Sequence, residues 1–299
     1  MARALPGLVL ALPLLANAQQ PAPTFRTSAE AVRIEALVVD EGRPIAGLTA
    51  RDFELRDNGV LQKISVESLA DLPLDVVLAI DVSSSVEGRL LTDLVTASGT
   101  LVAGLRPGDR GALVTFSDVV AVRHPLSEDL EKMRETLRKL TALGATSVVD
   151  AVYAGLAHAE RGRPTLLLAF SDGLDTSSWL RPEQVLEVAR RSEVVVDAVI
   201  VGEFMALSAP ANLRRRTEPR DPLERFLEDV ASATGGRLFD GGRGERLGRT
   251  FTEALAAFRQ RYQITYTPAG ADVPGWHAVD VKVKGRGNAT VRAKAGYAR

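Results

Sequence analysis

Four near-continuous apolar runs set the strongest limit on what this chain can fold into: Val76–Ile80, Ala112–Phe116, Leu166–Phe170 and Val194–Val201. Strands that read apolar without alternation are buried on both faces, as in a parallel sheet covered by helices. The segments between them carry the helical period instead. Leu90/Leu94/Leu101/Leu105, Leu130/Met133/Leu137, Val148/Val152/Leu156 and Val185/Val188 recur at three- and four-residue spacing, as do Leu223/Phe226/Leu227/Val230 and Leu247/Phe251/Leu255/Phe258. Ser127 is placed to cap one helix, Pro182 falls in the first turn of another, and Gly235-Gly236 follows a helix end. Strand and helix in alternation give a doubly wound α/β domain with a mostly parallel sheet, expected over residues 73–259.

The flanks obey a different period. Val32, Ile34, Ala36 and Val38 alternate, and Asp57-Asn58-Gly59 separates two short strand-like stretches, a hairpin signal because Asn and Gly accept positive φ. Near the other end Tyr262, Ile264 and Tyr266 alternate, as do Val279, Val281 and Val283. Neither flank is long enough to close a stable sheet pair alone. Residues 32–72 and 260–299 are therefore expected to combine into one small β-sandwich, interrupted by the α/β domain. Ahead of them, Arg3, the apolar Ala4–Leu15 and Ala16-Asn17-Ala18 read as a cleavable signal peptide over residues 1–18, followed by a linker over 19–31. Secretion or delivery to a periplasm, with no transmembrane anchor in the mature form, is the expectation.

Ligands of open α/β sheets bind beyond the carboxyl ends of the strands. The first central strand runs into Asp81-Val82-Ser83-Ser84-Ser85, the third into Ser171-Asp172-Gly173, and Gly144-Ala145-Thr146-Ser147 opens the helix between them. Asp81, Ser83, Ser85, Thr146 and Asp172 are thus candidates to meet at one crevice. Oxygen donors without nitrogen or sulfur suit a hard cation, Mg²⁺ or Mn²⁺. Each piece also has a plainer role: Asp and Ser cap helices, Thr146 could cap the helix that follows it, and Asp172-Gly173 is a common turn. Their joint placement at three strand ends is what carries the metal reading. A cation held by three neutral hydroxyls stays electrophilic, so the expected partner is a protein offering an Asp or Glu carboxylate.

Other chemistries fit poorly. With 37 basic against 38 acidic residues the chain lacks the basic excess of a nucleic-acid binder. It has no cysteine and three histidines, none in an H-E-x-x-H arrangement, which argues against a thiolate or zinc-hydrolase site. A Mg²⁺-dependent phosphohydrolase using Asp81 as nucleophile typically needs a second Asp two residues on, where this chain has Ser83. No G-x-S-x-G occurs, and Arg243 and Arg249 break the P-loop pattern around Gly241–Gly248. No enzyme is expected. A structural exported protein with a non-functional metal site is the remaining alternative. The insertion Glu203–Asp221, with Arg214-Arg215-Arg216 and Arg220, is either a solvated loop or a basic arm that steers an acidic partner.

Asp81-x-Ser83-x-Ser85, Thr146 and Asp172-Gly173 resemble the metal-ion-dependent adhesion site of a von Willebrand factor type A domain. The flanks, with Gly42-Arg43-Pro44, Gly47-Leu48-Thr49-x-x-Asp52-Phe53, Tyr262-x-x-x-Tyr266-x-Pro268 and Val291-Arg292-Ala293-x-x-Gly296-Tyr297, resemble the VWFA-related Acidobacterial domain proteins. The resemblance implies a metal-dependent binding module, with Ser83, Ser85 and Thr146 near the cation and the two aspartates partly through water. One departure is Ser84, where many such domains have Gly.

Overall fold

The computed structural model describes residues 31–160, 162–201, 221–271 and 273–299. The expected signal peptide, the linker apart from Ala31, and residues 203–220 of the arginine-bearing insertion lie outside the described residues.

From the amino end come β1 (Val32–Asp40), β2 (Arg43–Pro44), β3 (Phe53–Asp57), β4 (Val60–Leu61) and β5 (Ile64–Ser68). The central region then runs β6 (Asp75–Asp81), α1 (Arg89–Ala103), β7 (Arg110–Phe116), β8 (Val120–Ser127), α2 (Leu130–Arg138), α3 (Val148–Ala157), β9 (Thr165–Ser171), α4 (Pro182–Arg191), β10 (Val194–Ile200), α5 (Pro222–Thr234), β11 (Leu238–Asp240) and α6 (Glu245–Arg259). Last are β12 (Tyr262–Tyr266), β13 (Trp276–Val283), β14 (Thr290–Arg292) and β15 (Gly296–Ala298).

The central sheet has the order β11-β10-β9-β6-β7-β8. Its strands are parallel except β8, which is antiparallel to β7. Every residue of β6, β9 and β10 is buried, which explains the near-continuous apolar runs. Alternate side chains feed two cores. Val76, Leu78, Ile80, Leu166 and Leu168 pack under α1 and α6, with Leu94, Leu101, Phe251 and Phe258. Val77, Ala79, Leu167 and Ala169 pack under α3, α4 and α5, with Val148, Val152, Val185, Leu227 and Val230. After β6 the chain moves to one side of the sheet, and after β9 to the other. The switch in strand order therefore falls between β6 and β9, the crevice where α/β sheets take ligands.

Strands of both flanks share two further sheets. One has the order β14-β1-β12-β5 with β2 on β1, the other β15-β13-β3-β4. β1 serves two partners in succession: residues 32–36 pair with β12 and residues 37–39 with β14. Ile34, Ala36, Val38, Phe53, Leu55, Tyr262 and Ile264 fill the space between the sheets. The molecule is thus a doubly wound α/β sheet inserted in a small β-sandwich made by the two ends of the chain. The Asn58-Gly59 turn has φ of 46° and 83°, as its sequence predicts. The hairpin it forms is short, because the chain leaves that sheet after β4 and joins the other as β5.

Asp57 is fully buried in the sandwich and gathers three partners. Tyr297 and Tyr266 donate their hydroxyls to Oδ2 at 2.7 and 3.0 Å, and His277 Nδ1 lies 2.8 Å from Oδ1. Burial pushes both phenols up, so they remain donors. Tyr266 belongs to one sheet and the other three residues to the second, so this polar knot ties the layers together.

At the amino-end side of the central sheet, Asp109 clasps both chain connections to the sandwich. Its Oδ1 accepts from Leu74 N–H at 2.9 Å on the outgoing connection, and its Oδ2 pairs with the Arg259 guanidinium at the end of α6 on the returning one. Leu69 N–H donates to Arg261 C=O at 2.9 Å, joining the same two segments.

Two local expectations change. Asp129, rather than Ser127, is the N-cap of α2, its Oδ1 accepting from Lys132 N–H, while Ser127 ends β8 and its hydroxyl oxygen accepts from Asp129 N–H. Thr146 is not a cap either, since Ser147 occupies the N-cap position of α3.

Candidate metal centre

β6 ends at Asp81, whose side chain is entirely buried. Oδ1 accepts the Ser83 N–H at 2.8 Å, which turns the chain out of the sheet, whereas Oδ2 is buried without a hydrogen-bond partner. Ser83 Oγ and Ser85 Oγ lie 2.9 Å apart. A short 3-10 turn, Ser84–Val86, follows, pinned by the fully buried Val86. Burial, with the like charge of Asp172 adding to it, outweighs the Ser83 hydrogen bonds and pushes the Asp81 carboxyl up to about 7 from 3.8.

The second loop is built onto the first. Ser84 N–H donates to Gly144 C=O at 3.0 Å, and Gly144 N–H returns a bond to Ser84 Oγ at 3.0 Å. Ser84, the departure from the usual glycine, thus supplies an acceptor that glycine lacks. Leu143 N–H donates to Val82 C=O at 2.8 Å. Gly144 has φ +96°, and a Cβ there would run into the Asp118 carboxylate, so the position requires glycine twice over. Thr146 is buried, and Ser147 Oγ donates to Ser117 C=O at 2.6 Å.

The third loop closes over the second. Thr146 N–H donates to Thr176 Oγ1 at 3.1 Å, and its C=O accepts from Thr176 and Ser177 N–H at 2.8 and 3.0 Å. Asp175, which in sequence reads either as a solvated loop position or as an outer neighbour of the metal, performs the capping that Thr146 does not. Its Oδ2 accepts from Val149 N–H at 2.9 Å in the first turn of α3, and from the Ser178 hydroxyl at 2.7 Å. Asp150 replies from α3, accepting from Trp179 and Leu180 N–H at 2.9 Å each. Asp172 is half-buried, and its Oδ1 is buried without a hydrogen-bond partner.

All five sequence-derived candidates therefore sit on three loops that hydrogen-bond to one another around the switch point. The register of Ala79 opposite Ala169 carries Asp81 and Asp172 to adjacent strand ends. Among the described residues no group of three or more His, Asp or Glu gathers, so the donor set is two carboxylates and hydroxyls. Two buried carboxylate oxygens without partners, at the ends of neighbouring strands, are costly unless a cation answers them. Oxygen donors of this kind fit a hard divalent ion. The sequence reading had no signal for Asp175 and Asp150 as the braces of these loops, because each acts on backbone groups more than 25 residues away.

Known proteins share this fold in part. A family model described as von Willebrand factor type A domain matches residues 76–175. Inter-alpha-trypsin inhibitor heavy chain H1 of Bos taurus is 27% identical over 155 residues, 47% of this chain and 17% of that protein. Heavy chain H4 of the same organism is 23% identical over 167 residues, 51% of this chain and 18% of that protein. The chain thus spans under a fifth of the length of these relatives. Among solved structures, a von Willebrand factor type A protein from Catenulispora acidiphila superposes with a TM-score of 0.53 at 14% identity, covering 84% of this chain and 75% of that one. Proximal thread matrix protein 1 from the mussel byssus, with a zinc-occupied MIDAS motif, gives 0.51 at 17% identity, covering 68% and 50%. These likenesses establish the fold of the central region. Residues 76–175 thus match the von Willebrand factor type A domain family, and the central region has that domain's fold.

Proposed function

We propose that this chain is an exported, metal-ion-dependent protein-binding module rather than an enzyme. In this reading residues 73–259 bind and the sandwich of residues 32–72 and 260–299 carries them. The observation that supports it best is the pair of unpartnered buried oxygens, Asp81 Oδ2 and Asp172 Oδ1, at adjacent strand ends. Mg²⁺, or Mn²⁺, would be held by Asp81, Ser83, Ser85, Thr146 and Asp172. Bound there, the ion supplies an electrophilic position for a partner's Asp or Glu carboxylate. Asp81 contributes charge, and its Oδ1 bond to the Ser83 N–H aims the first loop. Ser83 and Ser85 present neighbouring hydroxyls, and Asp172 adds the second charge from just past the end of β9. The zinc carried at the corresponding motif of the mussel protein supports a divalent ion in this fold. The absence of a second carboxylate two residues after Asp81 supports binding over phosphoryl transfer, since Ser83 is no general acid at neutral pH. Delivery outside the cytoplasm rests on the leader pattern of residues 1–18.

Titration of the full chain with Mg²⁺ and with Mn²⁺, followed by calorimetry and thermal unfolding, tests the reading. Saturable binding that Asp172→Ala removes is the expected outcome. Identical melting with metal and with chelator would refute it and favour a purely structural role.

A further inference from the structure

The three most exposed large apolar side chains among the described residues are Trp179 at 91%, Leu143 at 77% and Val119 at 64%. All three lie on the loops at the carboxyl ends of the central strands, and Leu174, 48% exposed, joins them there. Each lies next to a loop that carries a candidate ligand. Leu143 donates its N–H to Val82, between Asp81 and Ser83. Leu174 is two residues past Asp172. Trp179 is fixed through its N–H to Asp150, on the helix that Thr146 leads into. Val119 closes the turn of Ser117, whose carbonyl holds the Ser147 hydroxyl.

These side chains are not loose loop residues that could fold back onto the core. The backbones of Val119, Leu143 and Trp179 are hydrogen-bonded in place, so the loops hold these side chains out in water. A tryptophan is seldom left so bare without a role, and clustered exposed apolar side chains mark contact surfaces. We infer that Val119, Leu143, Leu174 and Trp179 form an apolar collar around the metal crevice, which selects a partner segment whose Asp or Glu carboxylate is flanked by large apolar side chains. This rests on the metal reading above and adds the character of the partner to it. The centre of such a contact is charged, carboxylate against cation, and the collar excludes water from it. Excluded water strengthens the ionic contact at the centre, and the rim supplies area that a bare carboxylate cannot.

Two synthetic peptides distinguish the idea, one with Leu-Asp-Phe and one with Ser-Asp-Ser at the centre of the same Gly-rich frame. They are titrated by calorimetry against the full chain at saturating Mg²⁺, with tryptophan emission as a second readout. The Leu-Asp-Phe peptide is expected to bind about tenfold or more tightly than the other, with a blue shift of emission. In the double variant Trp179→Ser, Leu143→Ser that preference should fall to about threefold or less, while the Mg²⁺-induced rise in melting temperature stays unchanged. Equal binding of the two peptides, binding of neither by metal-loaded protein, or a preference that survives in the double variant overturns the collar and leaves the metal site standing. A wild-type chain that shows no Mg²⁺ response refutes the metal reading instead, and the collar with it.

Discussion

Replacing Asp81 by Asn should stabilise the metal-free protein while making it blind to Mg²⁺. The Asp81 carboxyl is buried at the end of β6, has one oxygen without a partner, and is pushed from 3.8 up to about 7 by burial and by Asp172. In chelator, the native state keeps a proton that the unfolded chain releases between about pH 4 and pH 7. The native state therefore binds more protons in that window, and metal-free stability falls as pH rises through it. A shift of about three units corresponds to a penalty of about 4 kcal/mol near neutral pH. Asparagine removes the charge, but its NH₂ needs an acceptor, for which Asp172 Oδ1 is the available atom. A net gain of about 2 kcal/mol follows once that requirement is subtracted. At about 2 °C per kcal/mol for a chain of this size, Asp81→Asn should melt about 4 °C above wild type in chelator at pH 7. The difference should shrink toward pH 4. Saturating Mg²⁺ at about 100 Kd should raise the wild type by about 2.7 kcal/mol and leave the variant unmoved. A variant that melts below wild type in chelator, or that still responds to Mg²⁺, would show that Asp81 is not the strained centre described here.

Asp175→Ala removes the acceptor of Val149 N–H and of Ser178, and should cost about 1–2 kcal/mol in urea unfolding together with a weaker Mg²⁺ affinity. An unchanged metal affinity would mean the third loop is held by other means. Asp57→Ala leaves Tyr266, Tyr297 and His277 without their common acceptor, and should cost about 3–5 kcal/mol, whereas Asp57→Asn should recover part of it. Deleting residues 260–299 strips β1 of both β12 and β14, and β5 of β12, so the remainder should aggregate by size-exclusion chromatography. A soluble, monomeric truncation would argue against the shared sheets.

The elements that were legible in the sequence are those whose burial is uniform. β6, β9 and β10 are closed on both faces, so away from their ends no polar residue breaks their pattern except Asp197, which is buried and accepts from Arg237 N–H. The three site loops could be located because parallel strands present their ends on one side. β8 escaped notice because it is an edge strand of mixed exposure with Pro125 in it, and only His124 among its residues is buried. β11 has three residues, too few to carry a period. The passage of the chain from β4 in one sheet to β5 in the other has no local signature, since pairing with β12 across about 200 residues decides it. The knot around Asp57 joins residues 209 to 240 positions apart, and no spacing rule reaches that far.

The clasp at Asp109 has a mechanical meaning. The outgoing and returning connections both leave the central sheet at the amino ends of its strands, opposite the loops of Asp81, Thr146 and Asp172. A pull on anything held at those loops would travel down the strands along their axes and exit through two covalent tethers that run side by side. Load shared by two tethers is halved in each, and a paired attachment resists swivelling where a single linker would turn freely. β12, which receives the returning tether, is paired on both sides, with β1 and with β5, so it would have to shear two ladders at once before it slipped. The crevice consequently keeps a fixed heading on the sandwich under tension.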